Sequence, residues 1–576
     1  MTSPASIANA PSYAALSYTW GDPFDTYNIK VNDQAVTIRS NLWSFLQHAR
    51  PDIDAPGRVF PADQALIELD RDLRIRDPLH DTLGYFWVDA ICIDQNNIEE
   101  RNAQVPRMKD IYETAAKVIV WLGYEYDNSN IAMDAIEEFG KAAWFFDCNR
   151  DMMPDFRESV TPRVASALQS LAHRPWWERA WVAQEISTPS RHEIPASVWC
   201  GHRRIPWHYF GYAEWAFNQT FSETDFDMFF TQLHSTRTVF LTQLKQQREN
   251  LKDSTHSTAL PLELSNLLSE LRSSVATDDK DKVYAILALA PDGHHSDLRP
   301  DYSEAVSVGD AYKQVATYII QRDFNLDIIG DCFQRNYKCP SWTPDWSVRF
   351  APLPFPKLCL RSDGTLSAVY QASGDVTPKI IISQQQGTLI VQGIEIDEIS
   401  EVSQSNVVEE SSLVPVDQKP MLLSWSHFLF PNAKDSTYIA GGLMAEAVGH
   451  VLCADLSGTY YKFIERGTSA RALAMNLLNR KNLPRHLAAS GDIGTVVHNI
   501  IGQRCLIRTK KGYIGLASLM VKPEDKVCVL IGSQVPIVLR PSPAGWNVVS
   551  EAYVHGIMDG EALKIGTPVM TDFLLV

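Results

Sequence analysis

The chain has 576 residues, too many for one hydrophobic core, so two or three domains are expected. Its apolar content of 45% and charged content of 21% are ordinary for a globular protein in water. Lys and Arg number 52 against 69 Asp and Glu, and a net charge of −17 repels phosphate backbones, so no nucleic-acid partner is expected. No apolar run reaches the roughly 20 residues needed to cross a bilayer, so no integral membrane segment is expected. The first residues, MTSPASIANAPSY, lack the basic start and apolar centre of a signal peptide. The nine cysteines are scattered without a CxxC pair, which suits neither a disulfide framework nor a structural zinc site. Cys92, Cys200 and Cys505 stand among apolar neighbours and are expected to be buried thiols. These features describe a soluble cytoplasmic protein with no metal.

Ala14 to Tyr18 is a short apolar run that ends at Trp-Gly-Asp-Pro, a strand followed by a turn. Asn28 to Arg39 alternates about Asn32-Asp33 as a hairpin, and Asn41 to Arg50 has helical spacing. Residues 51–78 are charged and proline-punctuated, an insertion. Tyr85 to Ile93 is a nearly continuous apolar run, which predicts a strand buried on both faces and interrupted by Asp89. Ile98 to Ala116 predicts a helix, and Lys117 to Leu122 (KVIVWL) is the clearest buried strand. Helices are predicted at Ile131 to Phe145, Thr161 to Leu171 and Trp176 to Ile186, with one more strand at Ser197 to Cys200. This alternation predicts an α/β domain with an open, doubly wound, mostly parallel sheet over residues 1–205, with insertions at about 51–78 and 124–175. A helical region over 206–335 follows, with a polar break at Gln246 to Thr258 and a core segment at Val283 to Ala290. Residues 336–576 form a mixed, β-rich region, whose runs Arg504 to Leu519 and Lys526 to Leu539 read as hairpins with Gly512, Gly515 and Gly532 at turns or bends.

Dinucleotide and P-loop glycine motifs, HExxH and GxSxG are all absent. Three clusters remain. Ser17, Tyr18, Trp20 and Gly21 sit at the carboxyl end of the first strand, where open α/β sheets bind ligands; a tight turn with a core tryptophan explains them equally. Asp89, Asp94, Gln95 and Arg101 surround the end of the next strand. A buried Asp89 needs a partner such as Arg101 or Arg179, whether in a site or in a structural polar network, and Asp94 is a candidate turn cap. In RPWWERAWVAQE (Arg174 to Glu185), a continuous helix would stack Trp177, Trp181 and Glu185 on one face. That apolar setting would raise the Glu185 pKa, although a core-packing helix with ordinary ion pairs gives the same pattern.

In order and spacing, LSYTWG (Leu16 to Gly21), VDAICIDQ (Val88 to Gln95) and RAWVAQE (Arg179 to Glu185) resemble the heterokaryon-incompatibility (HET) domain of filamentous fungi. RNAQVPRMKDIYETAAKVIVWLG, DKDKVYAILALA (Asp279 to Ala290), PDYS and CPSWTPDWS resemble the same family downstream, and the segment from Arg504 to Arg540 resembles its β-rich tail. The family implies non-self recognition that ends in programmed cell death when unlike hyphae fuse. The HET domain is also similar, distantly, to Toll/interleukin-receptor (TIR) domains, which implies a TIR- or flavodoxin-like fold. Trp181-Val-Ala-Gln-Glu185 parallels a Trp-Cys-x-x-Glu helix whose glutamate is catalytic in TIR enzymes that cleave NAD⁺. Val182 stands where that pattern has cysteine, and residues 124–175 intervene where TIR domains have a short connection. The resemblance therefore implies Glu185 as the catalytic carboxylate, with NAD⁺ as substrate rather than cofactor. Ser17, Tyr18, Trp20, Gly21, Asp89, Asp94, Gln95 and Trp181 would line the pocket, and Arg101 would meet the diphosphate. A non-enzymatic death-signalling adaptor that self-associates through the same domain is the alternative. Either way the trigger would be an unidentified protein.

Overall fold

The computed structural model describes residues 11–49, 85–146, 156–187, 196–220, 263–293, 295–349, 352, 354–360, 366–383, 387–403, 424–425, 428–429, 436–457, 465–466, 500–565 and 568–576. The N-terminal sheet is built on β1 (Ala14–Tyr18), every residue of which is buried. The hairpin β2 (Thr26–Val31) and β3 (Gln34–Arg39) follows, turning at Asn32 and Asp33 with φ of 50° and 63°. Asparagine and aspartate, with short polar side chains, tolerate that left-handed pair well, which is why the sequence signals a turn there. After helix α1 (Ser40–His48) come β4 (Phe86–Trp87), β5 (Lys117–Trp121), β6 (Ala196–Cys200) and β7 (Arg203–Pro206).

The sheet order is β4-β1-β5-β6-β7. All pairings among the first four strands are parallel, and β7 closes the edge antiparallel to β6. Helices cover both faces, as continuous apolar strands require. On one side, Leu42 and Phe45 of α1 pack with Leu16, Tyr18, Ile119 and Trp121. On the other, Ala15, Val118 and Val120 join a large core with helices downstream of β4. The expected mixed α/β architecture with a mostly parallel N-terminal sheet is what the chain forms.

Three predicted elements come out differently. The run Tyr85 to Ile93 is a strand only over Phe86–Trp87; Asp89 then opens a single helical turn, α2 (Asp89–Cys92). Its carboxylate accepts the Ala90 N–H at 2.7 Å and so satisfies an amide that a strand would have left to a neighbour. Cys92, expected to be buried, is exposed on this turn, while Cys200 and Cys505 are buried. The predicted helix 98–116 divides into α3 (Ile98–Gln104) and α4 (Met108–Thr114) about a 3₁₀ turn at Val105–Arg107, because Pro106 has no N–H to donate. The segment 124–175 contains α5 (Ser129–Phe146) and α6 (Pro162–Ala172), the latter capped by the Thr161 hydroxyl. The third difference lies at Trp176 to Ile186, where a 3₁₀ turn and a short helix replace one continuous helix. The 51–78 insertion and the polar break at 246–258 lie outside the described residues.

Helix α7 (Val182–Ser187) precedes β6, and beyond β7 run α8 (His208–Thr220), α9 (Leu264–Glu270), α10 (Asp281–Leu287) and α11 (Val308–Asp323). The core segment expected at Val283 to Ala290 is buried throughout. In the C-terminal region the long strand Thr388–Val402 pairs with Arg504–Thr509 near its end and with Lys526–Leu530 along its middle. Arg504–Thr509, Ile514–Ser518, Gly545–Val554, Ile537–Ser542 and Lys526–Leu530 connect in that order, so the antiparallel ring closes into a barrel. Both predicted hairpins are present. Gly515 is required by packing, since a Cβ there would lie 2.2 Å from the Tyr553 carbonyl oxygen. Among the described residues no helix is long and apolar enough to cross a membrane.

Candidate functional site

Alternation along β1 sends Leu16 and Tyr18 toward α1 and turns Ser17 to the opposite face. There Ser17 is fully buried at the carboxyl end of the strand. Its hydroxyl donates a short hydrogen bond to Glu185 Oε2 and accepts one from Trp176 Nε1 at 2.8 Å. Arg179 reaches the same Glu185 oxygen at 3.3 Å. Glu185 itself is 2% exposed, and burial raises its pKa against the opposing pull of Arg179 and the Ser17 hydrogen bond.

The local backbone explains how Glu185 arrives there. Trp176 and Trp177 lie in a 3₁₀ turn (Pro175–Glu178), Arg179 is extended, and α7 begins only at Val182. The continuous helix predicted for Trp176 to Ile186 is therefore broken, and the stripe Trp177, Trp181, Glu185 does not exist. Pro175 starts the first turn and Arg174 is extended before it, as a residue preceding proline prefers. Trp176 rather than Trp177 meets Ser17, while the Trp177 indole donates to the Leu171 carbonyl at 2.9 Å. Trp181 carries the first turn of α7 by accepting the amides of Gln184 and Glu185 at 2.9 and 3.0 Å.

A second carboxylate stands beside this one. Asp89 Oδ2 accepts the Trp20 indole N–H at 2.8 Å, and the Tyr18 hydroxyl also bonds to Asp89. Burial raises the Asp89 pKa, with Arg179 the largest force against it. Burial alone would lower the Arg179 pKa, but Glu185 and Asp89 together outweigh it and hold the guanidinium above its ordinary value. One arginine is thus shared between two carboxylates whose pKa values burial pushes up, and its charge works against that shift in both. Gln95 supports the group from behind, donating to the Asp89 carbonyl at 3.2 Å. Gly21 turns the chain after Trp20 at φ +80°, and its carbonyl accepts Arg39, whose guanidinium stacks over the Trp20 ring at 5.2 Å.

The structure thus brings Ser17, Tyr18, Trp20, Asp89 and Glu185 together, with Gly21 and Gln95 at the margin. It places three expected residues elsewhere. Asp94 is an exposed cap on the next turn, accepting the Asn96 amide at 3.0 Å. Arg101 pairs with Asp278 at 3.6 Å and stacks over Tyr302 at 3.9 Å. Trp181 gives its side-chain hydrogen bond to Asp281, which also accepts Tyr302 at 2.5 Å. Arg101 and Trp181 therefore belong to a second cluster, formed with the helical middle. Sequence reasoning gave Arg179 only an ion-pairing role and missed Trp176 as the Ser17 donor. The usable signal was the count of buried acids: two carboxylates in apolar surroundings need at least one buried cation, and Arg179 lies closest in the motif. Among the described residues no group of three or more His, Cys, Asp or Glu is placed to hold a metal ion.

Residues 13–185 match the family model "Heterokaryon incompatibility protein (HET)", and residues 460–576 match the "Het-6 beta-barrel domain". The chain thus carries a region similar to HET domains and a second region similar to Het-6 barrel domains. It is 25% identical to "Heterokaryon incompatibility protein 6, OR allele" of Neurospora crassa, with 99% of this chain and 92% of that protein covered. No solved structure matches it. Ser17, Tyr18, Trp20, Asp89, Arg179 and Glu185 all fall inside the HET match, and the closed C-terminal ring lies within or beside the barrel match.

Proposed function

We propose that this chain acts in heterokaryon incompatibility as a cell-death effector, and that its HET domain cleaves the nicotinamide glycosidic bond of NAD⁺. The observation that carries the reading is the Glu185 carboxylate, held against Ser17 at the carboxyl end of β1 and balanced by Arg179. In chain order the four parallel strands run second, first, third, fourth across the sheet. That order is shared with flavodoxin-like folds, and TIR-like topology is the reading it supports. In such sheets the crevice beside the first strand is where the connections diverge and ligands bind. The antiparallel β7 departs from the all-parallel pattern only at the edge.

In the proposed reaction the bond between ribose C1′ and the nicotinamide nitrogen breaks, and its electron pair leaves with neutral nicotinamide. Glu185 would stabilise the positive charge that develops on the ribose. Water then adds at C1′ and releases one proton, giving ADP-ribose. Ser17 and Arg179 fix the carboxylate, and Trp20, held by Asp89 at 2.8 Å, offers the half-buried aromatic ring of the group. The test is NAD⁺ consumption by the full chain and by Glu185→Ala. Loss of consumption in the variant is expected; equal consumption in both removes Glu185 from the chemistry.

The second reading is an adaptor that self-associates through the HET domain. It is favoured by the exposed Phe24, Tyr85 and Phe86, the last lying on the edge strand of the sheet. Death that persists in Glu185→Ala without NAD⁺ loss supports it.

A further inference from the structure

We infer that residues 272–282 together with Arg349 form an autoinhibitory strap that holds the Glu185 loop shut, so that the HET domain is off until this strap is released. The inference rests on the reading of Glu185 given above. It starts from an apparent conflict: a carboxylate that must face a dinucleotide is 2% exposed and ringed by protein donors. The loop that leads into its helix, residues 178–181, is held mainly by residues outside the HET match.

The contacts are of three kinds. First, the loop is paired as an extra strand: Val275 N donates to the Glu178 carbonyl at 2.6 Å, and Ala180 N donates to the Val275 carbonyl at 2.9 Å. Second, Arg349 clamps both partners, bonding Glu178 at 2.9 Å and the Ser273 carbonyl at 3.1 Å. Third, the Asp279-Lys-Asp-Lys282 motif anchors the strap. Lys282, 4% exposed, donates to the Arg272 carbonyl at 2.6 Å and to the Ser274 carbonyl, and so fixes the turn that presents Val275. Lys280 donates to the Asp301 and Ser303 carbonyls at 3.1 and 3.0 Å. Asp281 takes the Trp181 indole, and Trp181 in turn accepts the amide of Glu185 at 3.0 Å. The motif thus carries two lysines into carbonyl nests and one aspartate onto Trp181, the residue before the helix that holds Glu185.

The strap can be released without dismantling the core. Val275 is 39% exposed, and Arg349 meets Glu178 at the surface. Between strap and loop stand two main-chain hydrogen bonds, one exposed ion pair and the Trp181–Asp281 hydrogen bond, few enough contacts for the loop to open as a local unit. Opening would bare Arg179 and Glu185 toward the crevice at the end of β1.

The test uses the full chain carrying Arg349→Ala, Val275→Pro, or both, each also in a Glu185→Gln background. Hydrogen exchange is followed at the amides of Ala180, Gln184 and Glu185, beside NAD⁺ loss and viability of cells expressing the chain. Val275→Pro removes the amide donated to Glu178, and Arg349→Ala is a surface change that leaves the fold in place if proline does not. Exchange faster by about tenfold with greater NAD⁺ loss or killing is expected. Unchanged exchange shows that no strap holds the loop and overturns the inference. Faster exchange with unchanged or weaker output also overturns it, because the segment would then be a support rather than a lock. In the Glu185→Gln background exchange should still rise while NAD⁺ stays intact. If NAD⁺ is untouched throughout but killing rises with exchange, the reading of the chemistry fails and the strap stands.

Discussion

Glu185 and Arg179 in the N-terminal sheet lie 3.3 Å apart, and Glu551 and Arg504 in the barrel lie 3.0 Å apart. All four side chains are largely shielded from water, so each pair is under the same pressure to be satisfied. The partners differ. Glu551 accepts the main-chain N–H of Phe355 at 2.6 Å, and Arg504 donates to the Ile500 carbonyl at 2.8 Å while its guanidinium stacks on the Phe355 ring at 4.0 Å. Gly330 approaches so closely that a Cβ would fall 2.6 Å from Glu551 Oε2. The barrel pair thus pins three segments of backbone together. Glu185 instead takes its side-chain hydrogen bonds from Ser17 and Arg179, and shares that arginine with Asp89. A buried pair tied to backbone is a fastener; a pair tied to movable side chains, with a second acid beside it, can be rearranged by a ligand.

The sharpest way to break that distinction is to remove the barrel cation. Arg504→Met leaves Glu551 buried without its counter-charge and should cost about 3–5 kcal/mol. Urea unfolding of the full chain reads it as a lower midpoint at the barrel transition. A loss below about 1 kcal/mol would show that the pair is dispensable and the contrast empty.

Glu185→Gln should behave oppositely. The amide keeps the volume and an acceptor for Ser17, and Arg179 retains Asp89, so the unfolding midpoint should move far less than in Arg504→Met. NAD⁺ consumption should fall by about 10²-fold or more, the usual scale for losing one preorganised charge at the reacting centre. A large loss of stability with little loss of output would make Glu185 a fastener too.

Much of this division was legible in the sequence. KVIVWL and the first apolar run gave β5 and β1, and the three motifs that cluster at the ends of the strands gave Ser17, Asp89 and Glu185 as neighbours. What was not legible follows from local chemistry overriding periodicity. The apolar run Tyr85 to Ile93 hid a helical turn, because the Asp89 side chain caps its own following amide. The tryptophan-rich run has helical spacing throughout, but pairing of Val275 with Glu178 and Ala180 pulls Arg179 out into an extended conformation. No local pattern announces a partner about a hundred residues away. Arg101 was misassigned for the same reason: its partners Asp278 and Tyr302 come from the helical middle.

Acidity sharpens the comparison further. Burial pushes the Glu551 carboxyl from 4.5 up to about 7, against the pull of Arg504. An acid raised in the folded state binds its proton more tightly there than in the unfolded chain. Its stabilising contribution is therefore complete below about 4.5 and is lost as pH rises through about 7. Asp281 follows the same sign over a lower window, from 3.8 to about 6. The midpoint of thermal unfolding should thus fall as pH rises from about 4.5 to about 7, and Glu551→Gln should flatten that part of the profile. A slope unchanged in Glu551→Gln would place the titrating group elsewhere.

The smallest effect is expected at Asp94, five residues from Asp89 and in the same motif. Asp94 is exposed, and its carboxylate accepts only the Asn96 amide, while the Asn97 amide already holds the turn through the Asp94 carbonyl. The helix that follows is capped independently by the Asn97 side chain on Glu100 N at 3.1 Å. Asp94→Ala should cost about 0.5 kcal/mol and leave NAD⁺ consumption as it was. Asp89→Asn removes the charge that Arg179 balances and should lower consumption several-fold even where the fold survives. If both variants lost output equally, the acids of the motif would be acting as one surface rather than one site. The cleft would then extend along the exposed turn beyond α2, and the contrast between a buried pair that can rearrange and one that fastens would no longer locate it.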